Sequence, residues 1–237
     1  PLYAGFSAGE VYTIDKTPPT VVSVDRSGAS PTRSASVDFI VTFSEPVSGV
    51  DESDFTLAGE LSGASVTGMS GSDAIYNVTV STGTGDGALR LDVNASGAGI
   101  EDAAGNAFSA DFTGGESYTL DRTAPVVLSI ARKDAGLAGE VSFTVTFSEP
   151  VSGVDTADFT LTALAGAFPG AEMSQVTGSG ATRTVTVKPG WGSGRFRLDV
   201  ISSGTGIQDG AGNPLNGGFS GGEECAFYHL FLPLIHR

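Results

Sequence analysis

The nonapeptide FSEPVSGVD occurs twice in this chain, at positions 43–51 and again at 147–155. Both copies are embedded in the same order of shorter patterns. A run of alternating apolar residues precedes each copy, DFTL follows it, and RLDV and D-x-A-G-N come further on. Self-similarity at a fixed spacing is the signature of a repeat architecture, in which each repeat is one structural unit. The chain must therefore fold as two copies of one plan.

Short stretches of alternating apolar and polar residues fill both repeats, a period of two that is typical of half-buried strands. The first repeat spans 16–121 and has predicted strands at 20–24, 37–43, 55–57, 62–72, 76–80, 89–93 and 116–120. The second spans 122–227, with its clearest alternation at 141–147, 185–187 and 196–200. About seven short strands in roughly 105 residues, without helical periodicity, predict an all-β fold of two tandem immunoglobulin-like β-sandwiches.

The composition limits the classes of function. A net charge of −15 argues against nucleic acid as a partner, because nucleic-acid binding needs a basic footprint. The single cysteine rules out an intrachain disulfide, and no apolar run reaches the roughly 20 residues of a membrane span. The histidines, His229 and His236, both lie in the last nine positions, and no catalytic set is indicated. The chain is predicted not to be an enzyme.

Both ends of the chain depart from the repeat plan. The segment FSAGEVYTID at 6–15 matches FTGGESYTLD at 112–121 and FSGGEECAFY at 219–228, each of which closes a repeat. Residues 1–15 are therefore predicted to be a closing strand left from a preceding repeat, or a donor strand. The chain itself is predicted to be the C-terminal piece of a longer array or a processed product of one. The tail at 228–237 is apolar and replaces the linker pattern found at the other repeat boundaries.

Acidic residues recur at three separate places in each repeat. In a sandwich of this type the linker, the loop after the second strand and the loop before the last strand meet at one end. Carboxylates, with amide and backbone carbonyl oxygens, are the ligands that calcium prefers. The predicted calcium ligands are Asp15, Glu45, Asp51, Asp54, Asp102 and Asn106 in the first repeat, and Asp121, Glu149, Asp155, Asp158, Asp209 and Asn213 in the second. The alternative is that these residues only cap turns, as Asp and Asn often do.

These patterns resemble the bacterial immunoglobulin-like repeats of large secreted and cell-surface proteins. The resemblance rests on the D-x-T-x-P openings at 15–19 and 121–125, F-S-E-P-V at 43–47 and 147–151, and D-x-A-G-N at 102–106 and 209–213. It implies an extracellular or cell-surface stalk of adhesin type, with calcium stiffening the joints between domains in some relatives. It does not imply a particular ligand.

Two other functions stay open. The chain could be a filament subunit that makes homotypic contacts by strand addition through residues 1–15 or 228–237. It could also be a carbohydrate-binding or accessory module of a larger secreted enzyme, with a surface glycan or protein as its ligand. Trp191, the only tryptophan, could stack on a sugar, but we expect it to cover the end of its own core or to pack on the tail.

Overall fold

A computed structural model describes residues 9–135 and 139–228. Residues 1–8 of the predicted closing strand and residues 229–237 of the tail lie outside the described residues. The chain forms two compact units. Unit 1 contains the residues up to Ser30 together with Ser34–Leu120, and unit 2 contains Pro31–Arg33 and the residues from Asp121 onward.

Unit 1 is built from two main sheets and one short ladder. One sheet has the order β1-β2-β6-β5, the other the order β4-β7-β9, and β3 pairs with β8. A single 3-10 turn at Glu52–Asp54 leads into β4. The strands are β1 Val21–Arg26, β2 Ser36–Phe43, β3 Val47–Ser48, β4 Phe55–Gly59, β5 Ser65–Ser72, β6 Ile75–Ser81, β7 Gly87–Val93, β8 Glu101–Asp102 and β9 Ser117–Leu120.

Unit 2 repeats this arrangement. Its sheets have the orders β10-β11-β14-β13 and β12-β15-β16, and a 3-10 turn at Thr156–Asp158 precedes β12. An isolated bridge between Ser152 and Gln208 takes the place of the short ladder. The strands are β10 Val127–Ala135, β11 Val141–Phe147, β12 Phe159–Ala167, β13 Glu172–Thr177, β14 Thr182–Lys188, β15 Ser193–Val200 and β16 Glu224–Phe227.

The strand order confirms the predicted fold class. We letter the strands of the main sheets A to G along each unit: β1, β2, β4, β5, β6, β7 and β9 in unit 1, and β10 to β16 in unit 2. The four-stranded sheets then read A-B-E-D and the three-stranded sheets read C-F-G, the constant-type immunoglobulin arrangement. Sequence reasoning did not foresee the short β3–β8 ladder or the 3-10 turns. Among the described residues, no helix is long and apolar enough to cross a membrane.

The core of each unit lies between its sheets, on the inward faces of strands B, E and F. The predicted register is confirmed, because every inward position named by the alternation is almost completely buried. These positions include Phe39, Phe43, Leu91, Phe143, Phe147 and Leu198, none more than 2% exposed. A shift of one residue would have turned all of these side chains outward, so the period of two fixes the pairing.

Candidate cation site at the entry of each unit

The first residues of the repeated nonapeptide fasten the chain that enters each unit. The backbone N–H of Thr20 donates to the Ser44 hydroxyl at 3.0 Å, and the Ser44 N–H donates back to the Thr20 carbonyl at 2.8 Å. In unit 2, Val126 and Ser148 exchange the same pair of bonds at 3.0 and 2.9 Å. The glutamate next to each serine is thereby held beside the entering segment.

The glycine of the nonapeptide lets the B–C loop approach the F–G loop. Gly49 has a φ of +81°, and a Cβ there would lie 2.3 Å from the Gly99 carbonyl oxygen. At Gly153 the corresponding distance, to the Gly206 carbonyl oxygen, is 2.1 Å. Only glycine fits such a contact, because any side chain would overlap the backbone. The loops thus meet at one end of each unit, as the topology predicted.

Asp102 organises the F–G turn of unit 1. Its Oδ1 accepts the backbone N–H groups of Ala104 and Asn106, both at 2.8 Å, and its Oδ2 accepts Asn106 Nδ2 at 2.7 Å. Gly105, between these two residues, has a φ of +82°, which favours glycine. The side-chain bond from Asn106, helped by the backbone bonds and opposed by burial, lowers the pKa of Asp102. The carboxylate is therefore ionised at neutral pH.

Asp209 does the same in unit 2. Its Oδ1 accepts the N–H groups of Ala211 and Asn213, both at 2.8 Å, and its Oδ2 accepts Asn213 Nδ2 at 2.8 Å. Burial by itself would raise the pKa of Asp209, but the bonds from the Asn213 side chain and from backbone N–H groups together outweigh it, and the pKa is lowered.

The two asparagines connect the F–G turn to the linker. Asn106 Nδ2 donates to the Asp15 carbonyl at 3.4 Å, and Asn213 Nδ2 donates to the Asp121 carbonyl at 2.9 Å. The two asparagines were predicted to offer ligand oxygens, but the bonds observed here run from their Nδ2 atoms. Their observed role is to hold the linker aspartate against the turn.

Three carboxylates meet in each unit, one from the linker, one from the nonapeptide and one from the F–G turn. We call Asp15, Glu45 and Asp102 the entry triad of unit 1, and Asp121, Glu149 and Asp209 the entry triad of unit 2. In each triad, one oxygen per residue lies within 4.8 Å of the other two. Six of the twelve predicted ligands are thus brought together, three in each unit.

The electrostatics of the unit 1 triad favour a positive charge at its centre. The pKa of Glu45 is raised, first by desolvation and then by the negative charges of Asp102 and Asp15. Like charges held close together disfavour the ionised form of a carboxyl group. A cation between the three carboxylates would remove the repulsion.

Four other predicted ligands are used differently. Asp51 Oδ1 accepts the Ser53 N–H at 2.8 Å, and Asp54 Oδ2 accepts the Asp51 N–H at 2.7 Å, which is a capping box on the 3-10 turn. Asp155 and Asp158 form the same box in unit 2. Neither pair belongs to an entry triad. Here the turn-capping alternative describes the observed geometry.

Trp191 does not cover the end of its core. Its side chain is 72% exposed, and it lies on the loop between strands E and F with its backbone N–H donating to the Pro169 carbonyl at 3.2 Å. Together with Glu172, Lys188 and Phe227 it lines an open cleft of about 310 Å³. The predicted alternative, packing against the tail, falls on residues outside the described part of the chain.

The strand order and the entry triads define each unit as an immunoglobulin-like sandwich with a candidate cation site at its entry end. No protein-family profile matches the sequence, and no curated protein sequence matches it. The fold assignment therefore rests on the strand order of the chain itself.

Solved structures similar to this chain include an adhesin and a surface layer protein. The Escherichia coli adhesin FdeC is 17% identical, with a TM-score of 0.41 over 83% of this chain and 60% of that one. InvD of Yersinia pseudotuberculosis is 14% identical, with a TM-score of 0.34 over 83% of this chain and 55% of that one. Domains 4–9 of the surface layer protein SbsC are 14% identical, with a TM-score of 0.23 over 84% and 32%. This chain spans less than two thirds of each of these proteins.

Proposed function

We propose that this chain is part of an extracellular stalk of tandem immunoglobulin-like repeats that serves cell-surface adhesion or assembly, and that calcium binds at the entry triad of each unit. The observation that carries the proposal is the recurrence of the triad. In both units, the residue that leads into the sandwich contributes a carboxylate beside those of two loops. The net charge of −15 fits a protein that binds cations in a calcium-rich medium.

The donor set fits calcium. Calcium–oxygen distances are about 2.3–2.6 Å, so two ligands on opposite sides of one ion lie at most about 5 Å apart. The triad oxygens, within 4.8 Å of one another, satisfy that limit. Three carboxylates supply three to six of the roughly six to eight oxygens that calcium takes, and backbone carbonyls and water can supply the rest.

The proposed role of the ion is mechanical. Asp15 and Asp121 each precede strand A of their unit, and in both an Oδ1 already accepts the N–H of the residue two positions on, Thr17 or Thr123. An ion shared with Glu45 or Glu149 and with the F–G turn would tie this entering segment to two loops of its own unit. The segment would then lose rotational freedom. A stalk needs this rigidity in order to keep a fixed distance between its ends.

Thermal unfolding of the chain with calcium and with chelator tests the proposal. Extracellular calcium modules have a Kd of about 10⁻⁴–10⁻³ M. A ligand that binds only the folded state adds RT ln(1 + [L]/Kd), so about 10 mM calcium should add about 1.4–2.7 kcal/mol per unit. Glu45→Gln should abolish the calcium-dependent rise in unit 1, and Glu149→Gln the rise in unit 2.

Matched controls are acidic residues outside the triads. Glu60 is exposed, and Glu172 makes a surface salt bridge with Lys188 at 3.1 Å, so Glu60→Gln and Glu172→Gln should leave the calcium response unchanged. An unchanged melting temperature with calcium would contradict the proposed calcium binding, and a rise that survives both triad substitutions would contradict its location at the entry triads.

A further inference from the structure

Three segments of the chain share one pattern, and two of them close a sandwich. These closing segments are residues 10–15, 116–121 and 223–228, which align as EVYTID, ESYTLD and EECAFY. The second contains β9 and the third contains β16, and each is strand G of its unit, paired with strand F. The first segment belongs to no strand among the described residues.

The glutamate that opens a closing segment docks on strand A. Glu116 Oε2 accepts the Arg26 backbone N–H at 2.9 Å, and the Glu116 N–H donates to the Val24 carbonyl at 2.9 Å. In unit 2, Glu223 Oε2 accepts the Arg132 N–H at 2.8 Å, and the Glu223 N–H donates to a strand A carbonyl at 2.9 Å. Glu10 is the counterpart of these two residues.

The apolar residues of a closing segment enter the core. Tyr118 is 2% exposed, stands edge-on to Phe39 with ring centroids 5.2 Å apart, and donates its hydroxyl to the Asp38 carbonyl at 2.9 Å. Leu120 is 1% exposed. Their counterparts in the first closing segment are Tyr12 and Ile14.

Those counterparts are exposed here. Tyr12 is 81% exposed, Ile14 is 77% exposed, and Val11 beside them is 94% exposed. Three of the five residues at 10–14 are thus large, apolar and exposed, and Tyr12 and Ile14 have the spacing of inward positions on a strand. The segment pairs with no strand among the described residues. The edge of a sheet would satisfy its backbone groups and bury its apolar side chains.

We propose that residues 9–14 are the G strand of a further immunoglobulin-like unit of this repeat type, and that they add antiparallel to the open edge of its strand F. That unit supplies strands A to F, with a pocket for Tyr12 and a strand A backbone N–H for Glu10. The interaction is independent of calcium, because none of these contacts involves an entry triad.

A second copy of the chain does not offer this edge. In the two described units, β7 lies between β4 and β9, and β15 lies between β12 and β16, so each strand F already has a partner on both sides. The order of elements is the same at the first two closing segments. Asp121 follows β9 directly and joins the next entry triad, and Asp15 follows residues 9–14 and joins the triad of unit 1.

The proposal is tested by supplying the missing strands. Residues 16–111, which carry strands A to F of unit 1, are fused in front of residue 6 of the full chain. Amide hydrogen exchange is then compared between the fusion and the natural chain, both with chelator present. In the fusion, exchange at residues 10–14 should slow by at least about 100-fold and approach that at residues 116–120. Equal exchange rates at residues 10–14 in the two proteins would overturn the proposal.

Two substitutions in the fusion identify the register. Tyr12→Ala should lower the melting temperature of the added unit by as much as Tyr118→Ala lowers that of unit 1. Thr13→Ala is the matched control, because its counterpart Thr119 is exposed. If Thr13→Ala had the larger effect, the proposed strand would be wrong.

A variant of the natural chain covers the case in which the fusion does not fold. Ser117→Val with Leu120→Ile gives residues 116–120 the sequence EVYTI of residues 10–14. Because these exchanges nearly conserve core volume, unit 1 should still unfold cooperatively, with its melting temperature shifted by only a few degrees. Loss of cooperative unfolding of unit 1 would show that residues 10–14 cannot serve as strand G.

Discussion

Units 1 and 2 share one backbone plan, but they fill the same place in the core with different side chains. In unit 1, Leu89 of strand F faces Tyr118 of strand G, and in unit 2, Phe196 faces Cys225. All four residues are at most 2% exposed. The aromatic ring has moved from one strand to its neighbour, and the pair in unit 2 is the smaller of the two.

The neighbours have adjusted to this exchange. In unit 2, Phe168 packs edge-on against Phe196 with ring centroids 5.1 Å apart. In unit 1, the Tyr118 hydroxyl accepts the Gly28 N–H at 2.8 Å as well as donating to the Asp38 carbonyl, and so ties the G strand to the segment after strand A. The Cys225 side chain is too short to make the two bonds of the Tyr118 hydroxyl. Burial raises the pKa of its thiol, which therefore stays protonated at neutral pH.

A second exchange concerns the side chain that donates a hydrogen bond to the first valine carbonyl of the nonapeptide. The Val47 carbonyl of unit 1 accepts the Tyr76 hydroxyl at 3.1 Å, whereas the matching Val151 carbonyl of unit 2 accepts the Arg183 guanidinium. Arg183 also donates to the carbonyls of Gly180 and Thr182 and is only 7% exposed. The need for a donor to that carbonyl is common to both units, and a phenol and a guanidinium both meet it.

The comparison separates two kinds of constraint. At the entry end, the nonapeptide and the Asp-Asn pair of the F–G turn have the same residues in both units, and the Asp-Asn pair makes the same bonds. At the core positions, different side chains fill the space between the sheets and donate to the same valine carbonyl. The entry end therefore carries the more demanding chemistry, which is where we place the proposed function.

The largest effect is expected from placing the core cysteine of unit 2 at the matching position of unit 1. Tyr118→Cys removes a ring from a packed core and takes the hydroxyl away from the Gly28 N–H and from the Asp38 carbonyl, which still accepts the Ser27 N–H at 3.0 Å. It should therefore cost unit 1 about 3 kcal/mol of unfolding free energy. Adding Leu89→Phe should recover about 1 kcal/mol or more, because the ring returns from the neighbouring strand. Denaturant unfolding, followed separately for each unit, measures both.

The reverse change provides the control. Cys225→Tyr in unit 2 should destabilise by about 1–3 kcal/mol, because Phe196 and Phe168 already occupy the space. If Tyr118→Cys cost less than about 1 kcal/mol, or if Leu89→Phe made it worse, the two pairs would not be equivalent ways of filling one core.

A smaller effect on the unfolding free energy is expected when the side chain that donates to the valine carbonyl of the nonapeptide is replaced. Arg183→Met leaves three carbonyls without that donor and should cost unit 2 about 2–3 kcal/mol, whereas Tyr76→Phe leaves one and should cost unit 1 about 1 kcal/mol. Arg183→Tyr should recover part of the loss by restoring a donor to the Val151 carbonyl. Equal costs for Arg183→Met and Tyr76→Phe in unfolding experiments would mean that the additional bonds of the guanidinium add nothing.

The smallest effect expected is a difference in pH dependence within unit 2. The folded-state pKa of Asp209 is lowered, so its stabilisation is present above the ordinary carboxyl pKa of about 3.9 and is lost as the pH falls through the folded-state pKa. Asp209→Asn should therefore lower the melting temperature by a few degrees near pH 7 and by less near pH 3. Asp102→Asn should follow the same trend in unit 1.

Asp158 should show the opposite trend. Its pKa is raised, mainly by burial and also by the charge of Asp155, against the bond from the Asp155 N–H. Its stabilisation is complete below the ordinary pKa and is lost as the pH rises through the folded-state value. Asp158→Asn should thus be more harmful near pH 3 than near pH 7. Parallel pH profiles for Asp158→Asn and Asp209→Asn would contradict at least one of the two predicted directions.

The sequence alone determined the repeat, the fold class and the inward faces of the strands. The alternation of apolar and polar residues at 37–43 and 141–147 indicates which side chains face the core, because successive residues of a strand point to opposite sides. The glycine-rich connections and the absence of helical periodicity then leave a sandwich as the way to bury those faces. The meeting of linker, B–C loop and F–G loop also follows from strand order, without any knowledge of side-chain positions.

Only the tertiary structure decided which acidic residues meet. Asp51 and Asp54 lie in the same repeated stretch as Glu45, yet their carboxylates turn toward backbone N–H groups of a 3-10 turn, while Glu45 faces Asp15 and Asp102. Spacing in the sequence does not separate these cases, because a short polar side chain bonds whichever donor the local backbone brings within reach. The choice of Tyr118 or Cys225 at one core position likewise depends on the residue opposite it, across a strand pair that forms only on folding.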